Sequence, residues 1–156
     1  MIDVARASEV NFIDTADAYA GGASERIVGK LIAKDRADWV LATKVGQRDG
    51  TPARKKGLSR QWMMAAIDAS LSRLGVDYVD IYYMRHRDRE TPLHESVAAM
   101  GDIVASGKAL YWGFFNHYGW GVAAVIAQSN QMKTAFMAMR LGSIKFVLPL
   151  HHGADP

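Results

Sequence analysis

Four short runs of mostly apolar residues constrain the fold of this chain more than any other feature. They cover residues 10–13, 39–45, 78–84 and 109–115, and each is rich in β-branched and aromatic side chains. A parallel sheet is buried on both faces, so its strands read as nearly continuous apolar runs. These four runs are therefore predicted to be strands of one parallel sheet.

Stretches with a helical period separate the predicted strands. Apolar residues recur at intervals of three and four in residues 24–33, 60–74 and 92–106, and more weakly in residues 121–128. Such intervals place the apolar side chains on one face of an α-helix. Strands that alternate with helices predict βαβ units, in which the strands run parallel.

The residues at the ends of two predicted helices agree with this interpretation. Ser59 is the expected N-cap of the helix over 60–74, and Gly75 follows its last residue. Thr91 is the expected N-cap of the next helix, with Pro92 at its first position, and Gly107 closes it.

Two α/β architectures fit this alternation. A doubly wound nucleotide-binding sheet needs a GxGxxG turn after a strand, and neither Gly21-Gly22 nor the loop from Gly46 to Gly50 matches it. A (β/α)8 barrel fits the size of the units, but it needs at least ~200 residues. The 156 residues are expected to form one domain, with a fifth strand near 135–139 and a divergent tail over 132–156.

Composition narrows the classes of function. The chain has no cysteine, which excludes disulfides and thiolate chemistry and agrees with a reducing compartment. The first residues lack the apolar core of a signal peptide, and no apolar run approaches the ~20 residues of a membrane span. A net charge of +3 does not demand nucleic acid, and His151-His152 lack partners at metal spacing. We expect a cytoplasmic protein without a metal, a nucleic-acid partner or a membrane partner.

Chemically useful side chains follow the first two predicted strands. Asp14 and Tyr19 lie in the segment DTADAY after the first strand, and Lys44 lies near the end of the second. Active sites of parallel α/β folds form at the carboxyl ends of strands, and neighbouring strands lie about 4.8 Å apart. The three side chains could therefore converge at one edge of the sheet.

A tyrosine beside a lysine has a definite chemistry. The ordinary pKa of a phenol is ~10, and a nearby ammonium group makes a phenol a better proton donor. A phenol held in this way can protonate a carbonyl oxygen while a cofactor delivers hydride to the carbon. The alternative is structural, with Asp14 as a loop cap, Tyr19 in packing and Lys44 at a solvated strand end.

Four segments together resemble the aldo-keto reductase superfamily in order and spacing. They are NFIDTADAYAGGASERIVGKLI, WVLATKVG, GLSRQWMMAAIDASLSRLGVDYVDIYY and TPLHESVAAMGDIVASGKALYWGFFN, and the similarity runs from about residue 9 to residue 130. The resemblance is nearest to the bacterial branch related to potassium-channel β subunits and glyceraldehyde-3-phosphate reductases. It implies a partial (β/α)8 TIM barrel with about strands 2 to 5 or 6, NADPH as cofactor and a small carbonyl substrate.

The resemblance also implies a catalytic group. Members of the family use Asp, Tyr, Lys and His, and the first three correspond to Asp14, Tyr19 and Lys44. The family histidine would stand five residues after Asp80, where this chain has Arg85, with His86 next to it.

Arg85 and His86 both remain candidates for the fourth position. Arg85 could donate a hydrogen bond to a carbonyl but could not titrate near neutral pH. His86 would need a backbone bulge to reach the same face of the strand, or it is an ordinary loop histidine.

The predicted cofactor site departs from the family pattern as well. Where the family has Ser-Asn after its fifth strand, this chain has Phe115-Asn116. The Asn116 amide could still bind the nicotinamide carboxamide, or Asn116 is a turn residue. The family's first, seventh and eighth strands have no visible counterpart, and the phosphate site of such barrels commonly follows strands seven and eight. Weakened NADPH binding is therefore expected.

Two functions remain open at this point. The first is NADPH-dependent reduction of a small aldehyde or ketone. The second is an inactive barrel fragment that serves as a binding or assembly module. A partial barrel leaves unpaired strand edges, so a homodimer formed through open sheet edges is also expected.

Overall fold

The computed structural model describes residues 2–46, 57–86, 88–115, 119–131, 138–141 and 144–147. Helices and strands alternate as predicted until two strands follow each other at the end of the described residues. In order they are α1 (Ile2–Ala7), β1 (Phe12–Asp14), α2 (Ala23–Ile32), β2 (Val40–Val45), α3 (Arg60–Leu74), β3 (Val79–Met84), α4 (Leu93–Ala105), β4 (Ala109–Phe115), α5 (Gly119–Gln131), β5 (Ala138–Leu141) and β6 (Ile144–Val147). Short 3-10 turns cover Tyr19–Gly22 and Arg36–Asp38.

The strands form one sheet in the order β1-β2-β3-β4-β5-β6. The first five strands pair in parallel, and β6 pairs with β5 in the antiparallel direction. The predicted parallel α/β sheet is confirmed. The antiparallel β6 (Ile144–Val147) was not predicted, because the sequence analysis assigned no structure to the tail beyond the fifth strand.

The first strand begins two residues later than predicted. β1 starts at Phe12 rather than at residue 10, because the Val10 N–H donates to the Ala5 carbonyl at 2.9 Å and so closes the turn after α1. The described fifth strand covers Ala138–Leu141 and pairs with β4 from Gly113, whereas residues 135–137 of the predicted strand lie outside the described residues.

Most of the predicted helix ends are confirmed. The Ser59 hydroxyl accepts the Trp62 N–H at 3.4 Å, and Gly75 ends α3 with a φ of 67°, the left-handed conformation that glycine adopts without strain. Gly107 follows α4, and its N–H donates to the Val104 carbonyl at 2.9 Å.

The predicted N-cap of α4 is wrong. Pro92 occupies the N-cap position and the helix begins at Leu93. The Thr91 hydroxyl donates to Asp88 Oδ2 at 2.7 Å, a charge-assisted hydrogen bond that holds Thr91 to the loop after β3. Asp88 also accepts the Leu58 N–H at 2.9 Å, so it ties the loop after β3 to the start of α3.

The sheet carries apolar side chains on both of its faces. The larger core lies between the sheet and the helices. It includes Leu41, Tyr82, Trp112 and Phe114 from the strands and Met63, Ile67, Met100 and Ile103 from the helices. A smaller cluster, Ala42, Ile81 and Tyr83, lies on the opposite face. Because successive strand residues face opposite sides, Lys44 shares the face of Ala42, whereas Thr43 faces the helices.

No helix among the described residues is long and apolar enough to span a bilayer.

Candidate functional site

The site lies at the carboxyl end of the parallel sheet, where β1 and β2 end side by side. Asp14 is the last residue of β1 and pairs with Ala42 of β2. Lys44 follows two residues after Ala42 on β2. Lys44 Nζ lies 2.6 Å from Asp14 Oδ1 and 2.7 Å from the Thr15 carbonyl oxygen. Lys44 is only 1% exposed, so its ammonium group depends on these oxygens in place of water.

Tyr19 lies against the same lysine. It opens the 3-10 turn Tyr19–Gly22, and Lys44 Nζ is 5.1 Å from the centroid of its ring. The Asp17 N–H donates to the Lys44 carbonyl at 3.2 Å, which holds the loop before the turn against β2. Tyr19 is 36% exposed, so its ring is open to a small molecule.

Arg85 also reaches Tyr19. It directly follows β3, and its backbone N–H donates to the Val45 carbonyl at 2.8 Å. Its Cζ lies 5.1 Å from the centroid of the Tyr19 ring. The structure therefore brings Asp14, Tyr19, Lys44 and Arg85 together, with two cations near one phenol ring.

The other two predicted site residues have a different outcome. His86 is partly exposed and follows Arg85 in the bend after β3. Asn116 lies outside the described residues, so its proposed contact with a cofactor stays a prediction.

Asp17 is a titratable residue of the site that the sequence analysis missed. Its burial, together with the negative charge of Glu25, raises its pKa to about 6, although the Ala18 N–H and the cations of Arg73 and Arg85 act in the opposite direction. Its position inside DTADAY was the available signal, but a sequence does not show that this carboxyl is partly buried beside another one.

A second missed group lies behind the sheet. Glu25 of α2 is fully buried, where it accepts hydrogen bonds from Thr43 and Arg73. An acidic residue in the first turn of a helix is ordinarily interpreted as an exposed group at the positive helix end, so the sequence pattern pointed elsewhere.

The arrangement suits proton transfer to an oxygen atom. A phenol that gives up its proton becomes an anion, and a reduced carbonyl oxygen develops negative charge before it is protonated. Lys44 and Arg85 lie near Tyr19 and could stabilise both charges. Within the described part of the chain, no group of three or more His, Asp or Glu residues could hold a metal ion.

Comparison with known proteins identifies the family. The sequence model of the Aldo/keto reductase family matches residues 1–142, which is most of the chain. The chain therefore belongs to the aldo/keto reductase family.

Curated relatives include β subunits of potassium channels. The chain is 42% identical over 107 residues to a probable voltage-gated potassium channel subunit beta of Arabidopsis thaliana, and 40% identical over 108 residues to a putative one of Schizosaccharomyces pombe. Each match covers 67% of this chain but only 32% and 31% of the relative. The chain thus spans about a third of the length of the curated relatives it matches.

Two solved structures share the fold. One is an aldo/keto reductase from Klebsiella pneumoniae in complex with NADP and acetate, with a TM-score of 0.65 and 36% identity, covering 74% of this chain and 38% of that one. The other is a thermostable aldo-keto reductase in complex with the inhibitor epalrestat, with a TM-score of 0.72 and 30% identity, covering 81% and 44%. The sheet with its helices therefore has the fold of a partial (β/α)8 barrel, as the sequence analysis predicted.

Proposed function

We propose that this chain carries the proton-transfer site of an NADPH-dependent oxidoreductase that reduces a small aldehyde or ketone. One observation carries the proposal. The buried Lys44 ammonium group is held by Asp14 and by the Thr15 carbonyl, next to an accessible Tyr19 ring.

Each side chain has a distinct role in this proposal. Tyr19 donates the proton to the substrate oxygen. Lys44 stabilises the phenolate that remains, because an opposite charge nearby favours the ionised form. Asp14 neutralises Lys44 and fixes its position, so it is a positioning residue.

Arg85 is proposed to contact the substrate oxygen. Its guanidinium group lies near the same ring, and it donates hydrogen bonds without ever accepting a proton near neutral pH. It can therefore orient the carbonyl and stabilise its developing negative charge, but it cannot replace a titrating histidine.

NADPH would supply the hydride, as no side chain can. The family relationship and the NADP-bound structure from Klebsiella pneumoniae support this cofactor. The described residues fit its reducing end in one respect. Tyr19 is accessible and flanked by cations, so a carbonyl that accepts hydride can lie against the phenol. Asn116 is the residue proposed to bind the carboxamide.

The second candidate function is an inactive fold of the same family that binds or assembles without turnover. The arginine at the position of the family histidine favours it, because the group that normally completes the site is replaced by one that cannot titrate. The resemblance of the chain to potassium channel β subunits agrees with either candidate.

Substitution of Tyr19 tests the proposed proton donor. Tyr19→Phe removes only the hydroxyl, so the rate of reduction of a test aldehyde should fall by at least ~10²-fold, the usual scale for a general acid. Tyr78→Phe is the matched control, since Tyr78 lies at the amino end of β3 beneath Arg36, and its rate should be unchanged. A Tyr19→Phe variant as fast as the parent would end the assignment.

Binding of NADPH separates the two candidate functions. Titration of the chain with NADPH should quench tryptophan fluorescence, with contributions expected from Trp39 and Trp112. Saturable quenching together with turnover supports the reductase. Absence of turnover supports the inactive fold, and quenching then shows whether that fold still binds NADPH.

A further inference from the structure

Glu25 links the elements that carry the site from behind the sheet. Its side chain is 0% exposed. One carboxylate oxygen accepts the Thr43 hydroxyl at 2.6 Å and the other accepts Arg73 Nε at 2.6 Å. A buried carboxylate is costly unless it is paired and hydrogen-bonded, so the exchange of either partner has structural consequences.

The contact with Thr43 acts directly on Lys44. The two residues are neighbours on β2 and face opposite sides of the sheet. Glu25 therefore binds β2 on the helix side of the sheet, and the side chain of the next residue, Lys44, lies on the opposite side. The backbone of β2 transmits any shift of Thr43 to the Lys44 side chain.

A second series of contacts connects Glu25 to the Lys44 side chain through Ser24 and Thr15. Lys44 Nζ donates to the Thr15 carbonyl, and the Thr15 and Ser24 hydroxyl oxygens lie 2.8 Å apart and share a hydrogen bond. Ser24 directly precedes Glu25 on α2. Thr15, Ser24, Glu25, Thr43 and Lys44 thus form a closed ring of bonds that passes through the sheet.

Arg73 extends this ring to the turn that begins at Tyr19. A Cβ atom added to Gly22 would lie 2.7 Å from Arg73 Cδ, so the arginine packs directly on the end of the turn. Arg73 Nη2 donates to the Ser70 hydroxyl at 3.0 Å, which fixes the guanidinium group on α3. The same carboxylate therefore restrains both Lys44, through Thr43, and the Tyr19 turn, through Arg73.

We propose that Glu25 is a positioning residue that sets the placement of Lys44 against Tyr19 through Thr43 and Arg73. This inference rests on the proposed function, because the Tyr19–Lys44 pair is its proton-transfer group. Glu25 itself touches neither the substrate nor the phenol.

Nuclear magnetic resonance on the full 156-residue chain tests the placement without any turnover. The probe is the cross-peak between the Tyr19 ring protons and the Lys44 side-chain protons next to Nζ. Glu25→Gln keeps the size of the side chain but removes the charge that holds Arg73. Thr43→Val removes only the hydroxyl and suits a strand, whereas Thr43→Ser keeps the hydroxyl. Asp68→Asn is the control, since it breaks a separate ion pair of α3 with Lys108.

The expected result is loss of the cross-peak in Glu25→Gln and Thr43→Val, at a temperature where both are folded, and its retention in Thr43→Ser and Asp68→Asn. If Glu25→Gln does not fold, the two Thr43 variants decide. A retained cross-peak in folded Thr43→Val overturns the proposal. Failure of Glu25→Gln and Thr43→Val to fold while Thr43→Ser folds also overturns it, because the network then supports only the fold. A parent chain that neither binds NADPH nor turns over contradicts the proposed function but leaves this comparison intact.

Discussion

Lys44 carries a buried charge that is costly to stability and that the proposed proton transfer uses. Its ammonium group is almost completely buried, and an unpaired charge there would be strongly destabilising. Asp14 Oδ1 and the Thr15 carbonyl oxygen lie 2.6 and 2.7 Å from Lys44 Nζ and replace the hydrogen bonds to water that burial removes. Asp14 ends β1 and Thr15 begins the loop that leads to Tyr19, so the bonds that make the buried charge tolerable also hold the start of that loop in place.

Arg85 permits a direct test of the departure from the family pattern. Arg85→His restores the family's residue type at the end of β3. Since a positioned general acid or base contributes ~10²–10⁴-fold, we expect any carbonyl reduction to rise by at least ~10-fold.

Steady-state rates with one aldehyde measure the effect, with His86→Ala as the comparison variant. A loss of rate in His86→Ala that exceeds any change in Arg85→His would identify His86 as the working residue.

Asp17 predicts a pH dependence of stability. Its pKa is raised from 3.8 to about 6, so the folded state binds the proton more tightly than the unfolded state. The stabilisation is complete below about pH 4 and is lost as the pH rises through about 6. One pKa unit corresponds to about 1.4 kcal/mol, and partial exposure reduces the total to about 1–2 kcal/mol.

Asp17→Asn mimics the protonated carboxyl at every pH. Part of the effect has already developed at pH 4.5, which lies above the pKa of the unfolded state. Relative to the parent chain, the variant should therefore gain about 1 kcal/mol in free energy of unfolding at pH 7.5 compared with pH 4.5. Urea denaturation of both proteins at the two pH values measures this. An equal difference at both values would show that Asp17 does not titrate in this range.

At the scale of elements, the helices α2 and α3 pack closely against each other. Gly29 of α2 lies against the last residue of α3, and an added Cβ would collide with the backbone of Leu74. Backbone atoms cannot rotate away as a side chain can. A glycine in the middle of α2 is therefore explained by close helix approach, despite its poor helix propensity.

Gly29→Ala weighs these two effects against each other. Helix propensity alone would favour alanine by about 1 kcal/mol, whereas overpacking costs about 1–3 kcal/mol or more. Since the obstacle is backbone, we expect a net loss of stability, seen as a lower urea midpoint. Lys30→Ala, an exposed neighbour on α2, should change the free energy of unfolding by less than about 0.5 kcal/mol. A stabilised Gly29→Ala variant would show that the helices separate easily.

At the scale of the whole molecule, the two edges of the described sheet differ. In the described sheet, one edge strand is β6, which pairs antiparallel with β5. The other edge strand is β1, which pairs parallel with β2. Val10, just before β1, is 50% exposed. An edge strand with an exposed apolar neighbour is a template for pairing with another chain.

We therefore expect the chain to form a homodimer or to be poorly soluble. Light scattering across a range of concentrations measures the mass. Val10→Lys places a charge beside the β1 edge and should shift the mass toward the monomer, because edge lysines oppose strand pairing. A parent chain that stays monomeric at high concentration and unfolds cooperatively would contradict the expectation.

Local patterns in the sequence by themselves determined the alternation of strands and helices from β1 to α5. Arg60–Leu74 has the predicted bounds because its helical period lies between the Ser59 cap and the Gly75 terminus. Ala109–Phe115 has the predicted bounds because its run of mostly apolar residues directly follows Gly107 and Lys108. The convergence of Asp14 and Lys44 also followed, since parallel strands bring their carboxyl ends to one edge.

Only the tertiary structure decided which side chains meet across distant segments. Thr91 donates a hydrogen bond to Asp88 and does not cap α4, and Arg85 lies near the Tyr19 ring. Glu25 found Thr43 and Arg73, 18 and 48 residues away. Such contacts depend on which polar groups are buried together, and burial is a property of the packed molecule that no local spacing of residues records.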